Sequence, residues 1–578
     1  MLARVQSYVL QGIDALPCEV EVDYDAGSGA GSMGEDKTRA MTVGLPDTAV
    51  KESIERVRSA MGNSGYPLMG GRTLINLAPA DIRKEGPLYD LPIAVGLLLN
   101  LGVVGGAGVQ VAVKEARARM RVGSVAAPAR GGDGAGKRKP FDPFAGEDIP
   151  EREDLGGGAE VSGGPLDHRR YLFAGELALD GRLRPVRGVI AMAALAKARG
   201  LRGVVVPAEN APEAAVVPGV EAIGAATLAE VLGYLNGSLE PRPHAPADVE
   251  SLLAAGSAPV DFADVRGQEA VKRAIVVAAA GAHNLVMLGP AGTGKTMMAR
   301  ALPGILPPLT PDEAIEITRI YSAAGLLPTG EGGCAGAGLI TVRPVRTPHH
   351  TASSAAIVGG GAIPRPGEIS LAHRGVLFMD ELPEFPRDVL ETLRQPLEDH
   401  VVTIARSHSA VRFPASFMLV AAMNPTPKGD LPGDQFGRRQ MERYLAKLSG
   451  PLVDRIDIHV EAPAVPWKQL SGQGGAARGT SSAEMRREVM AARERQRARQ
   501  GAATNSRLSG RELDRFAPMT EEARTILGQA ITEMGLSARA YDKVRRVSRT
   551  IADLAGAEVI GAEHVGEAVQ YRLLDRKL

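Results

Sequence analysis

Eight residues, GPAGTGKT from Gly289 to Thr296, constrain what this chain can fold into more than any other feature. They match the GxxxxGK[ST] pattern, follow the apolar run NLVML and lead into MMARALPGI, which reads as a helix. A strand, a glycine loop and a helix in that order aim backbone N–H groups at phosphate oxygens, and the helix N-terminus adds positive potential. Gly289, Gly292 and Gly294 give the loop its turns, with Pro290, Ala291 and Thr293 between them. Lys295 is expected to reach the β- and γ-phosphates, and the Thr296 hydroxyl to bind Mg²⁺. ATP and Mg²⁺ are therefore the expected cofactors. An ordinary glycine turn before a helix would share one part of this pattern, not all three.

Two more apolar runs follow. GVLFMDELPEF has an uninterrupted apolar stretch, Val376 to Met379, ending in Asp380 and Glu381. Buried parallel strands read this way, with functional groups at their carboxyl ends. Asp380 is expected to hold Mg²⁺, and Glu381 to polarise the attacking water. FMLVAAMNP ends at Asn424, whose amide suits orientation of that water; a plain turn residue before Pro425 is the alternative. LSGPLVDRIDIHV then offers Arg455, whose planar fork suits a γ-phosphate, against the bland reading of a salt bridge with Asp454 or Asp457.

The 578 residues are long enough for several cores, and breaks in composition mark where they divide. Residues 129–164 are poor in aliphatics and rich in Gly and charge, which reads as a disordered insertion in a first domain of residues 1–235. A linker is expected at 236–256, a P-loop α/β domain at 257–470, and a mostly helical region at 471–578 that opens on SGQGGAARGTSS. Lys+Arg and Asp+Glu are 67 each, so any nucleic-acid surface must be local. Cys18 and Cys334 are the only cysteines, which excludes a disulfide framework or a thiolate zinc site and fits a reducing cytoplasm. The uncharged stretch Leu91 to Val113 is long enough to span a bilayer, but Pro92, Asn100, Gln110 and its glycines favour a buried helix, a turn and a strand. No signal peptide and no membrane span are expected.

The order of P-loop, DE strand, Asn strand, arginine and helical tail resembles the AAA+ ATPases. Within them it is similar to the magnesium-chelatase-like branch and the ComM/YifB family. The specific stretches are DFADVRGQEAVKRAIVVAAAGAHNLVMLGPAGTGKT, LPGILPPLTPDEAIEITRIYSAAGL, PHHTASSAAIVGGGAIPRPGEISLAHRGVLFMDELPEF and LSGPLVDRIDIHVEAP. The resemblance implies that Asn424 is sensor 1, that Arg455 is an arginine finger serving a neighbouring subunit, and that Arg539 in SARAYD is sensor 2 of a C-terminal helical lid. A finger in trans implies a homo-oligomer, a hexameric ring. Relatives often carry a cysteine-containing segment after the sensor 1 residue; NPTPKGDLPGDQFGRR has none, which puts a metal role there in doubt.

Met1 to about Leu235 resembles the Lon-type proteolytic fold, through KEGPLYDLPIAVGLL and GELALDGRLRPVRGVIAMAALAKARGLRGVVVPAEN. Leu88 stands at the position of the nucleophilic serine and Ile190 at that of the lysine. Without a nucleophile or base, no peptidase is expected. The fold class is thus α/β: an N-terminal Lon-protease-like α+β domain, a central AAA+ P-loop domain and a C-terminal helical lid.

Three segments are candidates for contact with a polymer in a ring channel. VRTPHHTASSAAIVGGGAIPRPGEISLAH carries His349 and His350 in a loop that, by the resemblance, projects to the channel; as neighbours in extended chain, their side chains should point apart, unlike metal ligands. The hairpin VVTIARSHSAVRF carries Arg406, His408 and Arg412, positive groups suited to a phosphate backbone. EMRREVMAARERQRARQ is an arginine-rich helix, either a solvated face or a DNA contact. The function expected is a Mg-ATP-dependent ring motor acting on single-stranded or branched DNA, helicase-like, in recombination or natural transformation. The rivals are a chelatase-type motor for metal insertion, an ATP-dependent protease and a non-enzymatic DNA scaffold.

Overall fold

A computed structural model describes residues 2–25, 40–68, 71–104, 165–327, 338–361, 364–406, 409–425, 447–464, 479–535, 537–572 and 574. The insertion expected at 129–164, Cys334, His408 and most of the segment after Asn424 lie outside the described residues.

The P-loop region is built on five short strands: β1 Leu285–Leu288, β2 Val345–Arg346, β3 Val376–Met379, β4 Met418–Met423 and β5 Ile458–Glu461. Their order in the sheet is β2-β3-β4-β1-β5, and every neighbouring pair is parallel. Side chains alternate between the two faces, so β1, β3 and β4 each feed two cores. Leu285, Met287, Val376, Phe378, Val420, Ala422, Ile458 and Val460 pack with the C-terminal helices. Val286, Leu288, Leu377, Met379, Leu419, Ala421 and Met423 pack on the opposite side, in a core shared with the N-terminal part of the chain. Burial on both faces explains why β1, β3 and β4 are uninterrupted apolar runs. Each Val, Leu, Ile, Phe or Met among them contributes about 1.5–3 kcal/mol relative to exposure.

The C-terminal region is helical: Ser482–Gln500, Gly510–Phe516, Glu521–Met534, Ala538–Ala555 and Ala562–Gln570. The arginine-rich helix Ser482–Gln500 uses its charges for packing. Arg493 and Gln496 donate to the carbonyls of Ala279 and Ala280 at the end of helix Glu269–Gly281, groups that a helix C-terminus leaves unpaired. Arg499 binds the buried carboxylate of Asp553 bidentately, at 2.6 and 2.9 Å. Arg487 and Arg497 remain exposed.

The N-terminal part combines an outer sheet with an inner one. Strands Leu2–Gln11, Asp14–Asp25, Ala40–Val43 and Arg72–Ala78 form a four-stranded mixed sheet. Tyr171–Phe173, Gly203–Pro207 and Glu221–Ala225 form a parallel one. The apolar run from Leu91 is a buried helix, Asp90–Asn100, and no helix among the described residues is long and apolar enough to cross a membrane. The segment read as a linker differs from expectation: Asp248 caps a short helix, Val249–Ala255, through Ser251 N.

The two parts meet through a buried carboxylate. Glu213 accepts from Ile190 N at 2.8 Å, from Asn210 Nδ2 at 3.2 Å and from the Ser322 hydroxyl on helix Pro311–Ala324. Burial pushes its carboxyl above the usual range, and these donors oppose the shift.

Candidate active site

The P-loop follows β1 directly, and helix Lys295–Ala301 opens on its lysine. Gly292 and Gly294 have φ of 80° and 85°, the left-handed region, with open space where a Cβ would stand. Gly289 answers a different need: a Cβ there would lie 2.1 Å from the Ala462 carbonyl oxygen. Thr293 braces the loop by donating to the Pro290 carbonyl at 3.1 Å. Ala291 is exposed at its tip.

Lys295 is only 7% exposed. Its Nζ donates to the carbonyls of Gly289 and Pro290 at 2.7 and 2.8 Å and to Asn424 Oδ1 at 3.3 Å. Burial pulls its pKa below the usual lysine value, while Asp380 and Glu381 push it back up. The Thr296 hydroxyl donates to Asp380 Oδ2 at 2.8 Å. Lysine, threonine, aspartate and asparagine thus converge from β1, β3 and β4, all at the carboxyl edge of the sheet. Thr296 and Asp380 are partly exposed hard-oxygen groups beside a loop open to solvent, a donor set suited to Mg²⁺ carrying a nucleotide. A cavity of about 460 Å³ opens beside Thr296, lined also by Pro259, Val260, Asp264, Met297 and Arg300.

Glu381 stands next to Asp380, whose Oδ1 accepts its backbone N–H at 3.0 Å. Its own backbone is left-handed, φ 52° and ψ 48°, a sparsely populated conformation for a residue with a side chain. Glu381 Oε2 lies 3.6 Å from His350 Nδ1. The histidine loop therefore reaches the acidic strand, contrary to the expectation that His349 and His350 point apart. Their ring centroids are 4.2 Å apart. The chain is turned here, not extended: Ala352 N donates to the His349 carbonyl, and His349 Nδ1 pairs with the Thr351 hydroxyl at 2.8 Å. No cluster of metal-binding side chains is found among the described residues.

Neither of the arginines expected at the ATP site, Arg455 and Arg539, bonds to this edge among the described residues. Arg455 precedes β5, and the register Leu285↔Ile458 to Leu288↔Glu461 puts it at the opposite end of the sheet from the P-loop, beyond a strand about 10 Å long. Its guanidinium donates to the Pro451 carbonyl at 2.7 Å and pairs with Glu398, not with Asp454 or Asp457. Arg539 is exposed in the first turn of helix Ala538–Ala555 and shares no hydrogen bond or ion pair with the P-loop among the described residues. In the hairpin Val401–Arg406 and Ser409–Pro414, Val402, Ile404, Val411 and Phe413 face the core and Arg412 faces solvent. Arg406 pairs with Ser409 through the backbone at the tip.

Sequence reasoning missed Gln268, 8% exposed, whose Nε2 donates to Pro463 O at 2.7 Å and reaches Thr293 O at 3.5 Å, tying the P-loop to the chain after β5. It also missed the cavity residues and the contact between His350 and Glu381. None of these has a local pattern; VDFADVRGQ, next to the P-loop helix in space, was the available hint.

Comparison with known proteins accords with this geometry. Residues 261–470 match the family model "Magnesium chelatase, subunit ChlI", and residues 479–572 match its C-terminal counterpart. Residues 32–121 and 159–210 match "Subunit ChlI of Mg-chelatase". Competence protein ComM of Haemophilus influenzae is 39% identical over 581 residues, 100% of this chain and 98% of the relative. YifB of Salmonella typhimurium is equally similar, with the same coverage. The magnesium-chelatase 38 kDa subunit of Rhodobacter capsulatus is 28% identical over 29% of this chain and 51% of its own length. Full-length likeness to ComM and YifB, on a parallel sheet whose carboxyl edge gathers Lys295, Thr296 and Asp380, means that this chain belongs to the ComM/YifB-like family of magnesium-chelatase-like AAA+ ATPases.

Proposed function

We propose that the protein is a Mg-ATP-driven ring motor, a homo-hexamer that works on single-stranded or branched DNA in the cytoplasm, with helicase or branch-migration activity in recombination or natural transformation. The observation that carries the ATPase reading is the 2.8 Å bond between Thr296 and Asp380 next to the buried Lys295.

In this reading Lys295 exchanges the Gly289 and Pro290 carbonyls for β- and γ-phosphate oxygens. Thr296 and Asp380 would hold Mg²⁺, which when bound would neutralise phosphate charge. The cavity beside Thr296 takes the base and sugar. Water attacks the γ-phosphorus with Asn424 orienting it and Glu381 accepting its proton; the bond to the β–γ bridging oxygen breaks, and ADP and phosphate leave. Arg455, at the far edge of the sheet, is out of reach of its own nucleotide, which supports a role on the neighbour's and hence a ring. Arg539 acts as sensor 2 of the helical lid. The N-terminal domain, Lon-like without its dyad, serves as a collar: Ile190 is fully buried and the partly buried Leu88 packs against the same core.

The DNA reading rests on the name of one relative, a competence protein, and on Arg412 exposed beside a hairpin tip. Chelatase subunits cover about a third of the chain, against the whole for ComM and YifB, so a metal-insertion motor is the weaker reading. ATP turnover measured with single-stranded, duplex and four-way-junction DNA across salt tests the proposal. Stimulation by DNA that falls steeply as salt rises is expected. Turnover indifferent to every DNA at every salt would contradict it.

A further inference from the structure

At the edge of the sheet opposite the P-loop, one buried polar knot joins the starts of three strands to the C-terminal helices. Asp457, two residues after Arg455, is 7% exposed. Its Oδ2 accepts Asn284 N at 3.0 Å, and its Oδ1 lies 3.2 Å from Lys543 Nζ. Asn284 stands immediately before β1, donates from Nδ2 to the Arg455 carbonyl at 3.0 Å and accepts Leu419 N of β4 at 2.9 Å. His283, fully buried, lies 3.6 Å from Asp457 through Nδ1 and bonds the Thr550 hydroxyl through Nε2 at 2.8 Å. Burial works against the Asp457 charge, yet Lys543 and His283 hold its carboxyl below the usual range.

Lys543 lies one helical turn, about 6 Å, after Arg539 on helix Ala538–Ala555. Asp457 lies on the short segment between Arg455 and β5. The ion pair therefore connects the two arginines that stand apart from their own P-loop. A buried ion pair is weak evidence for stability as such, because an apolar pair of similar volume often serves equally well. What distinguishes this one is its position between those arginines.

We infer that Asp457 and Lys543 are positioning residues: they fix Arg455 and the helix of Arg539 in one rigid relation, so that the finger is presented correctly to the neighbouring subunit. The inference rests on the proposed trans-acting role of Arg455. The test uses full-length Lys543→Met. Its turnover should fall on the order of ten- to a hundredfold, the scale of a misplaced catalytic contact. Its affinity for a fluorescent ATP analogue should stay within about twofold, because the P-loop edge is untouched. Mixing it with Lys295→Ala should restore activity, since the Lys295→Ala subunit lends an intact finger to a site that still binds ATP. A subunit that is merely destabilised gains nothing from mixing.

Arg455→Ala mixed with Lys295→Ala is the control. If that pair is rescued but Lys543→Met is not, the positioning role is overturned and the finger stands. If neither is rescued, the trans finger fails and this inference fails with it. Wild-type turnover by Lys543→Met overturns the inference alone. Should Lys543→Met not fold, Lys543→Arg, which keeps the cation but changes its reach, takes its place with the same outcomes.

Discussion

At the carboxyl edge of β1 and β3 stand the buried Lys295 and, partly open to solvent, Thr296, Asp380 and Glu381, with Asp380 accepting from Thr296 and from the Glu381 backbone. At the two positions expected from the sequence to match a protease's serine and lysine stand Leu88, partly buried against an apolar core, and Ile190, fully buried within it. Both halves pack helices on parallel strands, and both begin a helix at the position in question. In the first, the helix N-terminus faces an open glycine loop. In the second, the N-terminus of helix Val189–Ala198 is closed by the buried Glu213 carboxylate, which takes Ile190 N, and by Ser322 from the ATPase part, which takes Gly188 N. The same backbone device thus serves a ligand in one half and a joint between the halves in the other. Fold does not decide chemistry; what occupies the helix N-terminus does.

The largest effect that would sharpen this contrast is at Glu381. Glu381→Gln should bind ATP as the wild type does and lose turnover by about 10²–10⁴-fold, the range for a positioned acid or base, as read from single-turnover hydrolysis beside analogue binding. On the other side, ATP-dependent degradation of casein by the wild type would break the contrast; none is expected, since Leu88 and Ile190 supply neither nucleophile nor base. Glu213→Ala should leave turnover chemistry in place but loosen the joint. With the Ile190 N–H and the Ser322 hydroxyl losing their acceptor, unfolding in urea should show a loss of about 1–3 kcal/mol. An unchanged midpoint would mean that the two halves do not depend on that carboxylate.

A smaller effect is expected at His350. His350→Ala removes the imidazole next to Glu381 and should change turnover by only a few-fold, with ATP affinity unaltered, as seen in steady-state kinetics. The smallest concerns acid. Burial and the nearby Arg507 lower the pKa of His400, which precedes the hairpin strand Val401–Arg406, from 6.5 to about 4. The unfolded chain takes up that proton at higher pH than the folded one, so the associated stability is present above pH 6.5 and is lost as pH falls toward about 4. His400→Asn, which tolerates the left-handed backbone at φ 56°, should therefore lose less melting temperature than the wild type between pH 7 and pH 4.5. Parallel losses would show that His400 carries no such linkage.

Local patterns were legible in the sequence. The P-loop, the DE strand and the apolar runs of β1, β3 and β4 all announce themselves within about ten residues, because parallel strands buried on both faces allow few residue types. Contacts that depend on how distant turns meet were not legible. His350 reaches Glu381 only because the chain turns at His349, and Gln268 reaches Pro463 only because β1 lies beside β5. The arginine-rich helix looked like a solvated or DNA-facing surface, yet Arg493 and Arg499 are taken up by Ala279 and Asp553, partners that no spacing rule connects. The cap at Asp248 turned part of an expected linker into a helix of seven residues, too short to show a period.

The most direct measurement is nucleotide turnover by the purified full chain with and without Mg²⁺, beside Lys295→Ala. The account predicts hydrolysis that requires Mg²⁺ and vanishes, together with nucleotide binding, in Lys295→Ala. Turnover that persists without the metal or without Lys295, or its complete absence from the wild type in the presence of Mg²⁺ and DNA, would contradict it.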